Sequence, residues 1–154
     1  MTHTRRILLV EDSPNDVELT LTALAENKLA NEVIVAGDGE EALDYLHRRG
    51  RYRLRSAGNP VVVLLDIKLP KVDGIEVLAE MRRDPGLRTV PVVMLTSSQE
   101  EKDIVRSYNL GANAYVVKPV DFVEFVRAIS DLGLFWAVVN HPPPGTATRA
   151  DEDR

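Results

Sequence analysis

The sequence contains no cysteine. Disulfides, thiolate metal sites and thiol catalysis are therefore excluded, and the composition suits a reducing cytoplasm. Aromatic residues are scarce at 5%, and no stretch interleaves them with basic residues as a stacking ladder for nucleic-acid bases would require. No apolar run is long. Val61 to Leu65 and Leu134 to Val139 are the longest, far short of the ~20 residues of a membrane span. Near the N-terminus, Arg5 and Arg6 precede Ile7 to Val10, but Glu11 and Asp12 end that run too early for a signal-peptide core. The pattern reads as a soluble, cytoplasmic protein with no membrane partner. No P-loop or serine elbow is present. The histidines, His3, His47 and His141, do not have metal-site spacing. A net charge of −5 argues against a domain whose whole surface binds nucleic acid.

What is present describes one compact domain. The chain has 154 residues, 44% apolar and 28% charged. Five apolar runs, Ile7 to Val10, Val33 to Ala36, Val61 to Leu65, Val92 to Leu95 and Ala114 to Val117, are unbroken and rich in valine and isoleucine. Strands buried on both faces of a parallel sheet read this way. Helix signals lie between them. Ser13, Pro14 and Asp16 supply an N-cap, a first-turn proline and an acid, followed by Val17, Leu21 and Leu24. Asp38 with Glu41, and Ser98 with Glu101, have capping-box spacing ahead of Leu43 and Leu46 and of Ile104 and Tyr108. Asp73 and Gly74 open a helix carrying Ile75 and Leu78, and Phe122, Phe125, Val126 and Ile129 form one apolar face after Pro119. Strand and helix thus alternate through the chain. Right-handed crossovers place helices on both faces, which predicts a doubly wound five-stranded parallel α/β fold.

Three segments divide the chain: a domain over residues 1–131, an apolar extension over 132–139, and a tail over 140–154 expected to lack order. Within the domain, Arg48 to Asn59 reads as a long loop holding Arg48, Arg49, Arg51, Arg53 and Arg55. A solvated loop or a protein-docking surface fits it better than a nucleic-acid site.

In an open parallel sheet, ligands bind beyond the carboxyl ends of the strands. Glu11 and Asp12 follow the first strand, Asp66 the third, Thr96 and Ser97 the fourth, and Lys118 and Pro119 the fifth. Singly, each has an ordinary explanation as a loop acid, a turn acid, a strand threonine or a solvated base. Jointly, three carboxylates repel one another by roughly 4 kcal/mol per close pair at an effective dielectric of 20, and one lysine does not neutralise them. Such a site protonates one acid or binds a hard cation through oxygen, with Mg²⁺ the best match.

These residues carry a resemblance. Glu11-Asp12, Asp66-Ile67-Lys68-Leu69-Pro70-Lys71-Val72-Asp73-Gly74, Thr96-Ser97 and Tyr115-Val116-Val117-Lys118-Pro119 are together similar to a response regulator receiver domain, the phosphoacceptor of two-component signalling, over about residues 5 to 131. The resemblance implies the flavodoxin-like strand order 2-1-3-4-5. It implies that Asp66 accepts a phosphoryl group from a histidine kinase. Asp12, Asp66 and the backbone carbonyl of Lys68 would ligate Mg²⁺, and Glu11 would reach it through water. Lys118, Thr96 and the backbone of Ser97 would hold the phosphoryl oxygens, and the Lys118–Pro119 peptide would be cis. Thr96 and Tyr115 would form the switch, the threonine moving to the phosphate and the aromatic filling the vacated space. Glu11, Ser97 and Val72 depart from the commonest residues at their positions without removing a needed group. The resemblance implies that Lys68 and Ser98 flank the phosphorylation pocket, where they would affect phosphate lifetime.

No helix-turn-helix follows residue 131, so a single-domain regulator is expected, a switch rather than an enzyme apart from slow self-dephosphorylation. The lengthened arginine loop and the tail beginning Phe135-Trp136 are similar to single-domain regulators paired with phytochrome-type kinases. That group forms homodimers through the fourth and fifth helices and the fifth strand. Phe135, Trp136, Val138 and Val139 are accordingly the candidate dimer interface, unless the segment packs back onto its own sheet. Two rival readings remain. Gly37-Asp38-Gly39-Glu40-Glu41-Ala42 matches a dinucleotide fingerprint, but the ribose acid is missing about 20 residues on. A phosphatase of the haloacid dehalogenase type also uses a strand-end aspartate, but it needs an acid at the position Lys68 occupies.

Overall fold

In a computed structural model of the protein, the described residues are 6–26, 32–56, 58–119 and 121–134. The strands are β1 (Arg6–Val10), β2 (Glu32–Ala36), β3 (Val62–Leu65), β4 (Val92–Thr96) and β5 (Ala114–Val117). The helices are α1 (Pro14–Glu26), α2 (Gly39–His47), α3 (Gly74–Arg83), α4 (Glu101–Asn109) and α5 (Phe122–Leu134), with a short 3₁₀ turn at Gly50–Tyr52. All strands pair in parallel, in the order β2-β1-β3-β4-β5. The expected doubly wound α/β fold is therefore the one observed.

Alternate residues of each strand feed two cores, because side chains along a strand alternate between faces. Leu8, Val10, Val63, Leu65, Val92 and Met94 meet Leu43 and Leu46 of α2 and Leu78 and Met81 of α3. Ile7, Leu9, Val62, Leu64, Val93 and Leu95 meet Ala23 and Leu24 of α1 and Phe125 of α5. The helices start where their signals lie. Ser13 Oγ accepts from the Asp16 amide at 3.3 Å, Asp38 Oδ1 from Glu41 at 2.7 Å, and Asp73 Oδ1 from Glu76 at 2.9 Å.

Helix α4 differs from expectation. Glu100 occupies its N-cap without a side-chain cap hydrogen bond, and Ser98 does not cap it. The helix buries Asp103 and Ser107, while Val105 and Tyr108 are 48% and 52% exposed. Spacing alone placed Ile104 and Tyr108 inward. Two buried hydrogen bonds rotate the polar face in: Ser98 Oγ donates to Asp103 Oδ2 at 2.7 Å, and Ser107 Oγ donates to the Asp103 carbonyl at 2.7 Å.

The arginine loop is also more than a solvated excursion. Arg55 stacks 4.2 Å from the Tyr45 ring centroid and donates to the carbonyls of Tyr45, Ser56 and Gly58 at 2.7, 2.8 and 3.0 Å. Tyr52 meets Tyr45 edge-on at 5.1 Å, and Arg51 lies over Tyr52. Helix α5 runs to Leu134. Phe135, Trp136, Val138 and Val139, and the tail over 140–154, lie outside the described residues. Among the described residues, no helix is long and apolar enough to cross a membrane.

Candidate functional site at the carboxyl edge of the sheet

The ladder places the chemistry. The Asp66 amide donates to the Val10 carbonyl at 3.1 Å, setting the end of β3 beside the end of β1. The Lys118 amide donates to the Thr96 carbonyl at 2.8 Å, setting the end of β5 beside β4. Residues distant in sequence are thereby brought to one rim.

There the carboxylate oxygens of Glu11, Asp12 and Asp66 lie within 4.8 Å of one another. Glu11 and Asp66 are buried, Asp12 is exposed, and Thr96 is fully enclosed. Lys118, with its side chain 9% exposed, donates from Nζ to Glu11 Oε2, to Asp66 Oδ2 at 3.0 Å and to Asp16 Oδ2 at 3.0 Å. Asp66 Oδ1 accepts from the Ile67 amide at 2.7 Å, and Glu11 Oε1 accepts from the Ser13 amide at 3.1 Å. An all-oxygen donor set of this charge fits a hard divalent cation.

The electrostatics follow from crowding in a poorly hydrated notch. Burial raises Glu11 to about 7, with Asp66 adding to the rise and Lys118 opposing it. Burial works to lower Lys118, but its hydrogen bonds to Glu11 and Asp16 and the charge of Asp66 outweigh that, so its pKa rises.

The structure thus brings Glu11, Asp12, Asp66 and Lys118 together. Thr96 stands at the end of β4, its Oγ1 accepting from the Ser98 amide at 3.3 Å. Ser97 is exposed beside it. Tyr115 on β5 is half-buried and donates from its hydroxyl to the Ser98 carbonyl at 2.9 Å. Burial is the main cause of its raised pKa. The expected cis peptide is not found: among the described residues no peptide bond is cis, so Lys118–Pro119 is trans. The trans form is favoured by about 0.5–1 kcal/mol before proline, and Lys118 reaches three carboxylates without the cis bend.

Two participants escaped sequence reasoning. Asp16 was legible only as a first-turn helix acid. Its meeting with Lys118 spans more than a hundred residues. Asp103 carried no signal in the sequence pattern, and it is 6% exposed. The rival readings lose their footing here. Asp38 of the glycine-rich segment is spent capping α2, and a Cβ at Gly39 would fall 1.8 Å from the Val72 carbonyl oxygen, so close packing explains that glycine. Position 68 is an exposed lysine, with no acid for a phosphatase.

Comparisons with known proteins agree with this geometry. Residues 7–130 match the response regulator receiver domain family. The chain is 38% identical over 130 residues to response regulator Rcp1 of Synechocystis sp., covering 84% of this chain and 87% of that protein. The Mn(2+)-bound form of Rcp1 superposes with a TM-score of 0.84 at 37% identity, covering 90% of this chain and 99% of the other. The phosphorylated cyanobacterial phytochrome response regulator RcpA gives 0.85 at 39% identity over 91% of this chain and 99% of the other. The bacteriophytochrome response regulator RtBRR gives 0.75 at 64% identity over 93% and 86%. With acids at the ends of β1 and β3, a lysine after β5 and this match along its described length, the chain belongs to the response regulator receiver domain family, a family of signalling switches in two-component systems.

Proposed function

We propose that this protein accepts a phosphoryl group on Asp66 from a histidine kinase and changes its surface in response. The observation that carries the reading is the placement of Asp66: one carboxylate lies both in the three-acid cluster and 3.0 Å from the Lys118 ammonium. The donor's N–P bond breaks as an Asp66 oxygen forms an O–P bond. The departing imidazole nitrogen keeps the electron pair and takes a proton from solvent. Asp12, Asp66 and the Lys68 backbone carbonyl would hold Mg²⁺, with Glu11 acting through water. When bound, the ion offsets negative charge that gathers on the transferring group. Lys118 offers a positive charge to the same oxygens, and Thr96 and the Ser97 amide would hydrogen-bond them.

The output is a repacking of Thr96 and Tyr115, biased by the new charge. Supporting it, both side chains already hydrogen-bond one loop residue, Ser98, Thr96 at its amide and Tyr115 at its carbonyl. The likeness to RcpA and RtBRR favours a phytochrome-type photoreceptor kinase as donor. Homodimerisation through Phe135, Trp136, Val138 and Val139, a cytoplasmic location, and slow self-dephosphorylation as the only turnover complete the proposal.

The test is incubation of the protein with Mg²⁺ and acetyl phosphate. One added phosphoryl group by intact mass, absent in Asp66→Asn and without Mg²⁺, is expected. Labelling that persists in Asp66→Asn would refute the assignment. Light scattering on the same samples, beside a truncation at Leu132, reads the oligomer.

A further inference from the structure

Lys118 has three carboxylate partners, and they are not equivalent. Glu11 and Asp66 belong to the cluster that fits a divalent cation, whereas Asp16 does not. Asp16 comes from α1, whose backbone holds it firmly. Its amide donates to Ser13 Oγ at 3.3 Å, and its carbonyl accepts from the buried Thr20 hydroxyl at 2.8 Å. Beside it lies a cavity of about 330 Å³, whose lining includes Asp16, Ser97 and Lys118 together with the apolar Leu19 and Phe125. A flexible lysine chain has room to leave through that opening.

A cation in the acid cluster changes the balance on Lys118. It claims the charge of Glu11 and Asp66, and it repels the ammonium through a few ångströms of poorly hydrated space. Both effects loosen Lys118 from Glu11 and Asp66, and the cavity gives its chain room to move from the place where a phosphoryl group on Asp66 would need it. Among the described residues that contact Lys118, Asp16 is the carboxylate whose charge stays free to oppose this.

We propose that Asp16 is a positioning residue that retains Lys118 at the phosphoacceptor once a divalent cation occupies the Glu11–Asp12–Asp66 cluster. This role rests on the phosphoacceptor reading of the site. Asp16 touches neither the cation nor the transferred group and acts through Lys118. The third donor of Lys118, given up by Glu11, becomes free for a phosphoryl oxygen, while Asp16 keeps the ammonium from withdrawing.

The test uses the full chain as wild type, Asp16→Asn, Asp16→Ala, Asp16→Glu and Asp66→Asn. Three readouts are taken: Mg²⁺ affinity by calorimetry, beryllofluoride affinity at saturating Mg²⁺, and the rate of labelling by acetyl phosphate. Asp16→Asn should leave Mg²⁺ affinity within about threefold and lower both beryllofluoride affinity and labelling rate about tenfold or more, the scale of a lost charge-assisted hydrogen bond. Asp16→Glu should restore most of the loss, because it keeps the charge. Asp16→Ala gives the same reading if the asparagine variant folds poorly. Equal or faster labelling in Asp16→Asn overturns the role. So does a parallel fall in Mg²⁺ affinity, which marks a structural effect, or a failure of glutamate to rescue. A wild type that takes neither beryllofluoride nor phosphoryl overturns the reading of the whole site. A wild type that takes both, beside an equal Asp16→Asn, overturns only Asp16.

Discussion

The Ser98 hydroxyl donates to Oδ2 of Asp103 at 2.7 Å, in a place where both residues are buried. The same serine gives its amide to Thr96 and its carbonyl to Tyr115. One loop residue therefore joins the end of β4, the β5 tyrosine and the first turn of α4. Removing the hydroxyl strands a buried carboxylate, at a cost of about 1–3 kcal/mol. Ser98→Ala is expected to lower stability by that amount in urea unfolding and to speed amide exchange at the start of α4. Ser98→Thr, which keeps the hydroxyl, should do neither.

Tyr115 lies at the outer end of the same chain. Tyr115→Ala should still take a phosphoryl group from acetyl phosphate, since its hydroxyl hydrogen-bonds the Ser98 carbonyl and not the acids. Its phosphorylation-dependent affinity for a partner, or for a second copy, should fall. Sedimentation with and without beryllofluoride reads this, and unchanged affinity would remove Tyr115 from the switch.

Gly74 touches the backbone of Asp66, the proposed phosphoacceptor. A Cβ there would sit 1.9 Å from the Asp66 carbonyl oxygen, and backbone cannot yield as a side chain can. Gly74→Ala should destabilise the protein by roughly 2–4 kcal/mol and reduce labelling of Asp66. A melting temperature and labelling rate equal to wild type would contradict this packing.

Arg82 donates to the carbonyls of Arg88, Val90, Leu110 and Gly111 at 2.9 to 3.1 Å. It ties the end of α3 to the loops before β4 and after α4. Arg82→Met keeps much of the stem and loses the fork. A loss of about 2–3 kcal/mol is expected, with phosphoryl labelling of the folded fraction unchanged.

Acidity should act through Glu11. Its pKa is raised by burial from 4.5 to about 7, so between those values the folded chain holds a proton that the unfolded chain releases. Folding stability from this group therefore falls as pH rises across that window. Lys118 is shifted upward, so its contribution stays present through this range and is lost only at more alkaline pH. Without added divalent cation, Glu11→Gln should flatten the decline between pH 4.5 and 7 in denaturant titrations. An unchanged slope would show that Glu11 is not its source.

Much of this protein is settled by the order of its residues. Unbroken Val/Ile/Leu runs have no polar face to offer water, so β1, β3 and β4 had to be buried on both sides. Asp38 and Asp73 cap their helices through contacts three residues away, which sequence displays directly. The acids, threonine and lysine at the strand ends were likewise legible, since a parallel sheet gathers its carboxyl ends on one rim. Long-range meetings were not. That Asp16 shares Lys118 with Asp66, that α4 turns Asp103 inward and Tyr108 outward, and that Arg55 lies on Tyr45 depend on how the helices settle against the sheet. Local spacing sets which residues share a helix face, but only packing sets which face is buried. A charge finds its partner through space, at distances the chain order does not record.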